Sequence, residues 1–149
     1  MNDVNNEVEK LSGLELLKRL IADWHGSPMS NVIGLRLIDA ADGTATIESF
    51  LSEKFYNPQE RAHGGYAATL IDSAMGFAVQ TKLPDGTGFG TIEIKVSYVG
   101  KLVAETGRLR CIATVLHAGR TLFTAEARLI DDAGKIYAHG SGTFLVYPK

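Results

Sequence analysis

Two periods of hydrophobic residues divide this chain into helices and strands. The segment from Ser12 to Glu15 matches a capping box, and the apolar residues that follow recur at helical spacing. These apolar positions are Leu14, Leu17, Ile21 and Trp24. The pattern predicts an amphipathic N-terminal helix that Gly26 and Pro28 end.

From Gly34 onward the hydrophobic period changes to two, which is typical of strands with one buried face. The predicted strands are Gly43 to Leu51, Thr91 to Val99, Gly107 to His117, Thr121 to Ile130 and Ile136 to Tyr147. In the second of these, Ile92, Ile94, Val96 and Tyr98 are predicted to share one face. Short turns join the last three strands, so a meander is predicted.

One long helix interrupts these strands, from His63 to about Lys82, and Pro84 follows it. Apart from Asp72 and a few small polar residues the helix is apolar nearly all round, so we expect it to be enclosed. One helix wrapped by a single antiparallel sheet is an α+β arrangement, and the hotdog fold fits it.

The same helix carries the candidate chemistry. Its first turn has N–H groups without intrahelical partners, and Gly64 and Gly65 allow close approach of a carbonyl oxygen or an anion. Asp72 lies on a stripe of small residues. Burying an unpaired carboxylate would cost on the order of several kcal/mol. The stripe comprises Gly65, Ala68, Thr69, Asp72, Ser73 and Gly76. Close helix packing alone would also explain such a stripe.

Gly64 and Asp72 are too far apart to act on one carbonyl group within one chain. Eight residues of helix separate them by roughly 12 Å, whereas catalytic groups lie about 3 Å from the reacting atoms. Two antiparallel helices across a two-fold axis would bring Gly64 of one chain to Asp72 of the partner subunit. We therefore expect a homodimer with composite sites.

Length, charge and cysteine content limit the number of domains and the kinds of partner that we expect. With 149 residues, 45% of them hydrophobic, the chain fits a flexible tail over residues 1–11 and one domain over residues 12–149. The net charge of -2 and the absence of a basic cluster argue against nucleic acid and anionic membranes as partners. The single Cys111 excludes an internal disulfide, and without a leader or a long apolar run we expect a cytoplasmic protein. The four histidines and Cys111 show no metal-ligand spacing, so no metal is expected.

The residues Asn57-Pro58, His63-Gly64-Gly65 and Asp72 occur at a spacing that identifies a family. From about Asn31 to Tyr147 the chain resembles the acyl-CoA thioesterases of the hotdog superfamily, of the phenylacetate-degradation (PaaI-like) and 4-hydroxybenzoyl-CoA thioesterase type. The resemblance implies an acyl-CoA substrate, no separate cofactor because coenzyme A is part of that substrate, and dimers that pair into a homotetramer.

The resemblance also implies roles for individual residues. Gly64 would supply the oxyanion N–H, with Asn57 and His63 positioning the thioester. Asp72 of the partner subunit would be the nucleophile or general base, and Thr91 would hold the attacking water.

Binding of coenzyme A is expected at two further places. The turn containing Gly119 and Arg120 is expected to meet a phosphate through Arg120, although a short turn alone explains the glycine. Gly65 is expected to contribute to coenzyme A binding at the start of the helix. The expected pocket wall includes Tyr66, Met75, Phe77 and Leu83.

Two other functions use the same fold. A hotdog hydratase would act on the acyl chain, and Tyr56-Asn57-Pro58 is partly similar to its motif, but the accompanying Gly-Asp and the close following His are missing. A non-catalytic acyl-CoA-binding regulator needs an output module, and residues 1–30 supply one amphipathic helix, too little for a helix-turn-helix unit.

Overall fold

The computed structural model describes residues 10–149, so most of the tail predicted for residues 1–11 lies outside the described part. The helices are α1 (Gly13–Ala22), α2 (Pro28–Ile33) and α3 (Gly64–Gln80), with short 3₁₀ turns at Glu53–Phe55 and Ala104–Thr106. The strands are β1 (Arg36–Ala41), β2 (Thr44–Phe50), β3 (Thr87–Tyr98), β4 (Arg108–Ala118), β5 (Leu122–Ile130) and β6 (Ile136–Pro148). Within residues 10–149, no helix is both long and apolar enough to cross a membrane.

The six strands form one antiparallel sheet in the order β1-β2-β4-β5-β6-β3. The predicted meander of the last three strands is confirmed, because β4, β5 and β6 are neighbours in chain order. Helix α3 packs against this sheet, which confirms the predicted α+β hotdog architecture.

The core lies between α3 and the sheet. Leu70, Ile71, Ala74 and Met75 of α3 are fully buried there. Gly142 on β6 leaves room for this packing, since a Cβ atom at that position would lie 3.0 Å from the terminal methyl carbon of Met75.

The opposite side of α3 is not covered, so the expectation that the helix is enclosed holds for one side only. The small residues Ala68, Thr69, Asp72 and Ser73 are half-buried, and Gly65 is exposed. These positions include most of the stripe identified from the sequence. The described residues therefore leave a face of small side chains open around Asp72.

Helix α1 begins as its sequence predicts and ends earlier. The capping box is present, with the Ser12 side chain accepting from the Glu15 N–H and the Glu15 carboxylate accepting from the Ser12 N–H. The helix ends at Ala22, so Trp24 lies in the following loop. Pro28 starts a second helix instead of ending the first, because Pro is favoured in the first turn, where its missing N–H would be unpaired anyway.

Two strands differ from their predicted course. β1 pairs with β2 although no strand was assigned before Gly43, and β3 begins at Thr87, four residues earlier than predicted. A register shift between Thr91 and Glu93 interrupts the alternation of β3. Ile92 falls at this shift and does not share the predicted face, whereas Tyr98 remains on the side of Ile94 and Val96, although Ile92 and Tyr98 are each 55% exposed.

Candidate active site

Asp72 lies near the middle of α3, at the edge of a pocket of about 460 Å³. The Thr91 hydroxyl, on the neighbouring strand β3, donates a hydrogen bond of 3.0 Å to Asp72 Oδ1. This bond gives the half-buried carboxylate a partner and orients one of its oxygens. A carboxylate held in this way can activate water or attack a carbonyl carbon.

The wall of the Asp72 pocket combines apolar and polar side chains. Its apolar side chains include Leu20, Trp24, Phe77 and Phe89, which come from α1, the loop after α1, α3 and β3. Of the wall residues predicted from the sequence, Phe77 does line this pocket. Tyr66 and Met75 are buried in the core, and Leu83 lines a separate small pocket near the end of α3.

Gly64 lies in a second pocket, of about 500 Å³, at the start of α3. Asn57 and His63 line the same pocket, so the structure brings together three of the residues that the sequence assigned to substrate binding. The 3₁₀ turn and the following loop place Asn57 there, and its Oδ1 accepts from the Gln59 N–H at 2.9 Å.

Hydrogen bonds at the start of α3 distinguish the two glycines. The Gly65 N–H donates to His63 Nδ1 at 2.8 Å, and the Tyr66 N–H donates to the His63 carbonyl at 2.9 Å. The Gly64 N–H donates to no atom of residues 10–149. Among these first N–H groups, that of Gly64 is therefore free to bind an oxygen atom of a ligand.

Tyr98 also belongs to the Gly64 pocket, and sequence reasoning missed it. Its hydroxyl donates to the Gly64 carbonyl at 3.0 Å, although Tyr98 is 34 residues away along the chain. The alternation of β3 placed Tyr98 on the face of Ile94 and Val96, but only the position of the strand against α3 shows that this side chain meets Gly64.

Asp72 and Gly64 line different pockets, as expected from their spacing along α3. Within one chain, the structure thus brings together Asp72 with Thr91, and separately Gly64 with Asn57 and His63. Acyl transfer needs an activating group and an N–H donor for the oxyanion, and each pocket contains a group with the chemistry of one of them.

The remaining sequence candidates lie elsewhere. Arg120 is exposed in the turn between β4 and β5, and it lines neither pocket. The Gly119 N–H in that turn donates to the Leu122 carbonyl at 3.0 Å. Cys111 is buried in β4, and this burial raises the pKa of its thiol, which agrees with its interpretation as a core residue.

Comparison with known proteins identifies the family. The sequence profile of the thioesterase superfamily matches residues 59–138. A protein of Halobacterium salinarum named as an esterase is 34% identical over 140 residues, covering 84% of this chain and 87% of its own length. The 1,4-dihydroxy-2-naphthoyl-CoA hydrolase of Listeria monocytogenes is 23% identical, covering 81% of this chain and 97% of its own length.

Among solved structures, the PaaI protein of the E. coli phenylacetic acid degradation operon has the same fold. Its TM-score is 0.76 at 18% identity, and the match covers 87% of this chain and 91% of that one. The predicted resemblance to PaaI-like hotdog proteins is thereby confirmed at the level of the fold. By profile, sequence and fold, the chain belongs to the thioesterase superfamily, a family of hydrolases.

Proposed function

We propose that this protein is an acyl-CoA thioesterase, which hydrolyses an acyl-CoA to the free acid and coenzyme A. The observation that carries the proposal is the unpaired Gly64 N–H at the start of α3, combined with a carboxylate at Asp72 that Thr91 orients. Thioester hydrolysis develops negative charge on the carbonyl oxygen and needs an activated water or a nucleophile. The Gly64 pocket supplies an N–H donor for the carbonyl oxygen, and the Asp72 pocket supplies the carboxylate that activates water or attacks.

A homodimer would bring the N–H donor and the carboxylate together. Antiparallel packing of two α3 helices through their uncovered faces would place Gly64 of one chain beside Asp72 of the partner subunit. Small side chains along that face allow close approach of the helices. Each dimer then has two equivalent sites, and dimers could pair further into a homotetramer.

In each composite site, the thioester oxygen accepts from the Gly64 N–H, and Asn57 and His63 position the substrate from the same chain. Asp72 of the partner subunit acts as a general base on water, or attacks the carbonyl carbon directly. The thiolate of coenzyme A leaves, water supplies the new oxygen of the acid, and a proton passes to the thiolate. Thr91 acts with Asp72, holding the carboxylate and the attacking water.

Two features support coenzyme A as the leaving group. The relative from Listeria monocytogenes is named as a CoA hydrolase. In this chain, the exposed Arg120 between β4 and β5 offers a cation for a phosphate group. Gly119 would bring the backbone of that turn close to the same phosphate, and Gly65 would lie beside the bound thioester. The aromatic wall formed by Trp24, Phe77 and Phe89 suits the acyl group.

A panel of acyl-CoA and aryl-CoA substrates, followed by a free-thiol assay, tests the activity. Release of thiol is the expected result. A change in an acyl double bond without thiol release would identify a hydratase, and tight binding with neither reaction would identify a regulator. Either of these two outcomes would overturn the proposal.

Mixed dimers test the composite site. One chain carries Asp72→Ala and the other Gly64→Pro, so that each alone lacks one half of every site. Proline fits the first position of α3, because His63 before it already has the extended ψ of 139° that proline requires of its neighbour. The substitution therefore removes the N–H and preserves the helix.

Verified mixed dimers should recover up to half of the wild-type activity per dimer, since one of their two sites is intact. Homodimers of either variant should be inactive. Gly64→Ala is the matched control, because it adds a Cβ atom but keeps the N–H, and it should retain more activity than Gly64→Pro. Absence of recovery in mixed dimers would show that both halves act within one chain.

A further inference from the structure

A chain of hydrogen bonds runs through the Gly64 pocket and ends at His63. The Tyr98 hydroxyl donates to the Gly64 carbonyl at 3.0 Å. That carbonyl belongs to the same peptide group as the Gly65 N–H, which donates to His63 Nδ1 at 2.8 Å. Because a backbone N–H only donates, Nδ1 must be the unprotonated nitrogen of the ring.

The consequence lies at the other ring nitrogen. A neutral imidazole with a free Nδ1 has its proton on Nε2, so His63 has an Nε2–H to donate. His63 is exposed and lines the same pocket as Gly64 and Asn57, and Nε2 has no partner among residues 10–149. The pocket therefore contains a second N–H donor beside that of Gly64.

We propose that Tyr98 is a positioning residue, which fixes the Gly64-Gly65 peptide group so that His63 is held as an Nε2–H donor toward the ligand carbonyl. The assignment of that ligand as a thioester rests on the proposed function, whereas the tautomer does not. Without the hydroxyl, the Gly64 carbonyl keeps only its bond within α3, so the Gly64-Gly65 peptide group is held less tightly and the Gly65 N–H bond to Nδ1 weakens.

Close packing between Tyr98 and Gly64 supports this role. A Cβ atom at position 64 would lie 3.1 Å from both the hydroxyl oxygen and the adjacent ring carbon of Tyr98. The ring therefore rests directly on the glycine, and its hydroxyl reaches the Gly64 carbonyl without a bridging water. Such a bond polarises the peptide group and strengthens the next bond in the chain.

The tautomer of His63 can be observed directly by ¹⁵N NMR of histidine-labelled protein at pH 8.5, well above the value of about 6.5 at which a free histidine titrates. The chain has four histidines, and His63→Gln identifies the signal of His63. We expect wild-type His63 to show only the Nε2–H tautomer. Tyr98→Phe should introduce the Nδ1–H tautomer and accelerate hydrogen exchange of the Gly65 amide.

The matched control is Tyr147→Phe, which removes another exposed tyrosine hydroxyl that donates to a backbone carbonyl, that of Phe89 at 3.3 Å. It should leave the His63 signals and the turnover unchanged. Tyr98→Phe should lower kcat about tenfold, the scale of one hydrogen bond, and leave KM within about twofold. The ring is retained, so the unfolding midpoint in urea should stay close to that of the wild type.

Gly64→Ala perturbs the same contact from the other side, because its methyl group would lie 3.1 Å from the Tyr98 hydroxyl oxygen. It should shift the His63 signals in the same direction as Tyr98→Phe. An Nδ1–H tautomer in the wild type would overturn the proposal, and so would a Tyr98→Phe variant with unchanged tautomer and kcat. Since the spectra need no substrate, absence of thioester hydrolysis by the wild type would overturn the proposed function alone.

Discussion

At the residue scale, the proposed chemistry depends most on Asp72. Asp72→Asn keeps the shape of the side chain and removes its charge, so acyl-CoA binding should persist and kcat should fall. General-base or nucleophilic assistance is worth about a hundredfold to ten-thousandfold, and we expect a loss in that range. Steady-state kinetics of thiol release, with binding measured by calorimetry, separate the two effects.

A suitable control for Asp72→Asn is Glu126→Gln, which makes the same chemical change on the exposed face of β5. Its activity should equal that of the wild type. Turnover of Asp72→Asn within a few fold of the wild type would contradict a catalytic role for the carboxylate.

Thr91 allows a second test at this scale, because two substitutions separate its hydroxyl from its shape. Thr91→Val removes the donor to Asp72 Oδ1, and since hydrogen bonds to charged groups contribute about 1.5–3 kcal/mol, kcat should fall at least about tenfold. Thr91→Ser keeps the hydroxyl and should stay within about threefold of the wild type. Equal kinetics for both variants would show that the bond does not matter for turnover.

Single residues were also where sequence reasoning succeeded best. The capping box at Ser12 and the burial of Cys111 follow from local rules, and the structure confirms both. The grouping of Asn57, His63 and Gly64 in one pocket follows from their nearness along the chain. Tyr98 was missed because its contact with Gly64 depends on strand register, which local sequence does not encode.

At the element scale, helix α1 docks closely onto the end of α3. The Gly13 N–H donates to the Leu83 carbonyl at 2.9 Å, and a Cβ atom on Gly13 would overlap the backbone carbonyl oxygen of Gln80. Gly13→Ala must therefore move one helix away from the other. Overpacking of this kind costs about 1–3 kcal/mol, which urea unfolding would measure.

The control for Gly13→Ala is Gly90→Ala in β3, where the nearest atom to the new Cβ is a ring carbon of Tyr147 at 4.0 Å. Its stability should change by less than about 0.5 kcal/mol. Equal stability of the two variants would show that α1 can shift on α3 without loss.

The hydrophobic period predicted some helix and strand boundaries well and others poorly. Helix α3 was predicted nearly to the residue, because a long apolar segment before Pro84 has few alternatives. α2 was missed since Pro28 can either end a helix or begin one, and only the Ser27 side chain accepting from the Ser30 N–H distinguishes the two. The irregularity after Thr91 in β3 leaves no clear sequence signal, so Ile92 was assigned to the face of Ile94, Val96 and Tyr98, which the register shift prevents.

At the scale of the whole molecule, the composite site predicts that activity depends on assembly. When the protein is diluted below the dimer dissociation constant, Asp72 and Gly64 of different chains separate, and specific activity should fall in proportion to the dimer fraction. Sedimentation velocity at the assay concentrations measures that fraction. Activity that stays constant while the protein becomes monomeric would contradict the shared site.

The separation of Gly64 from Asp72 was predictable from the sequence, because it follows from the rise of an α-helix alone. The face of α3 through which we propose that two chains meet was not. It depends on which side of α3 the sheet covers, and that follows from the complete set of strand pairings.

Strand β3 lies at one edge of the sheet and contacts both candidate pockets, through Thr91 at Asp72 and through Tyr98 at Gly64. A substitution that locally unfolds this strand should therefore impair both pockets together, and the activity would fall even if the substituted side chain had no role in the chemistry. Kinetic defects from mutagenesis of residues 87–98 should therefore be interpreted together with amide-exchange data for the strand itself. Only a variant whose backbone protection is intact reports on the chemistry of its side chain.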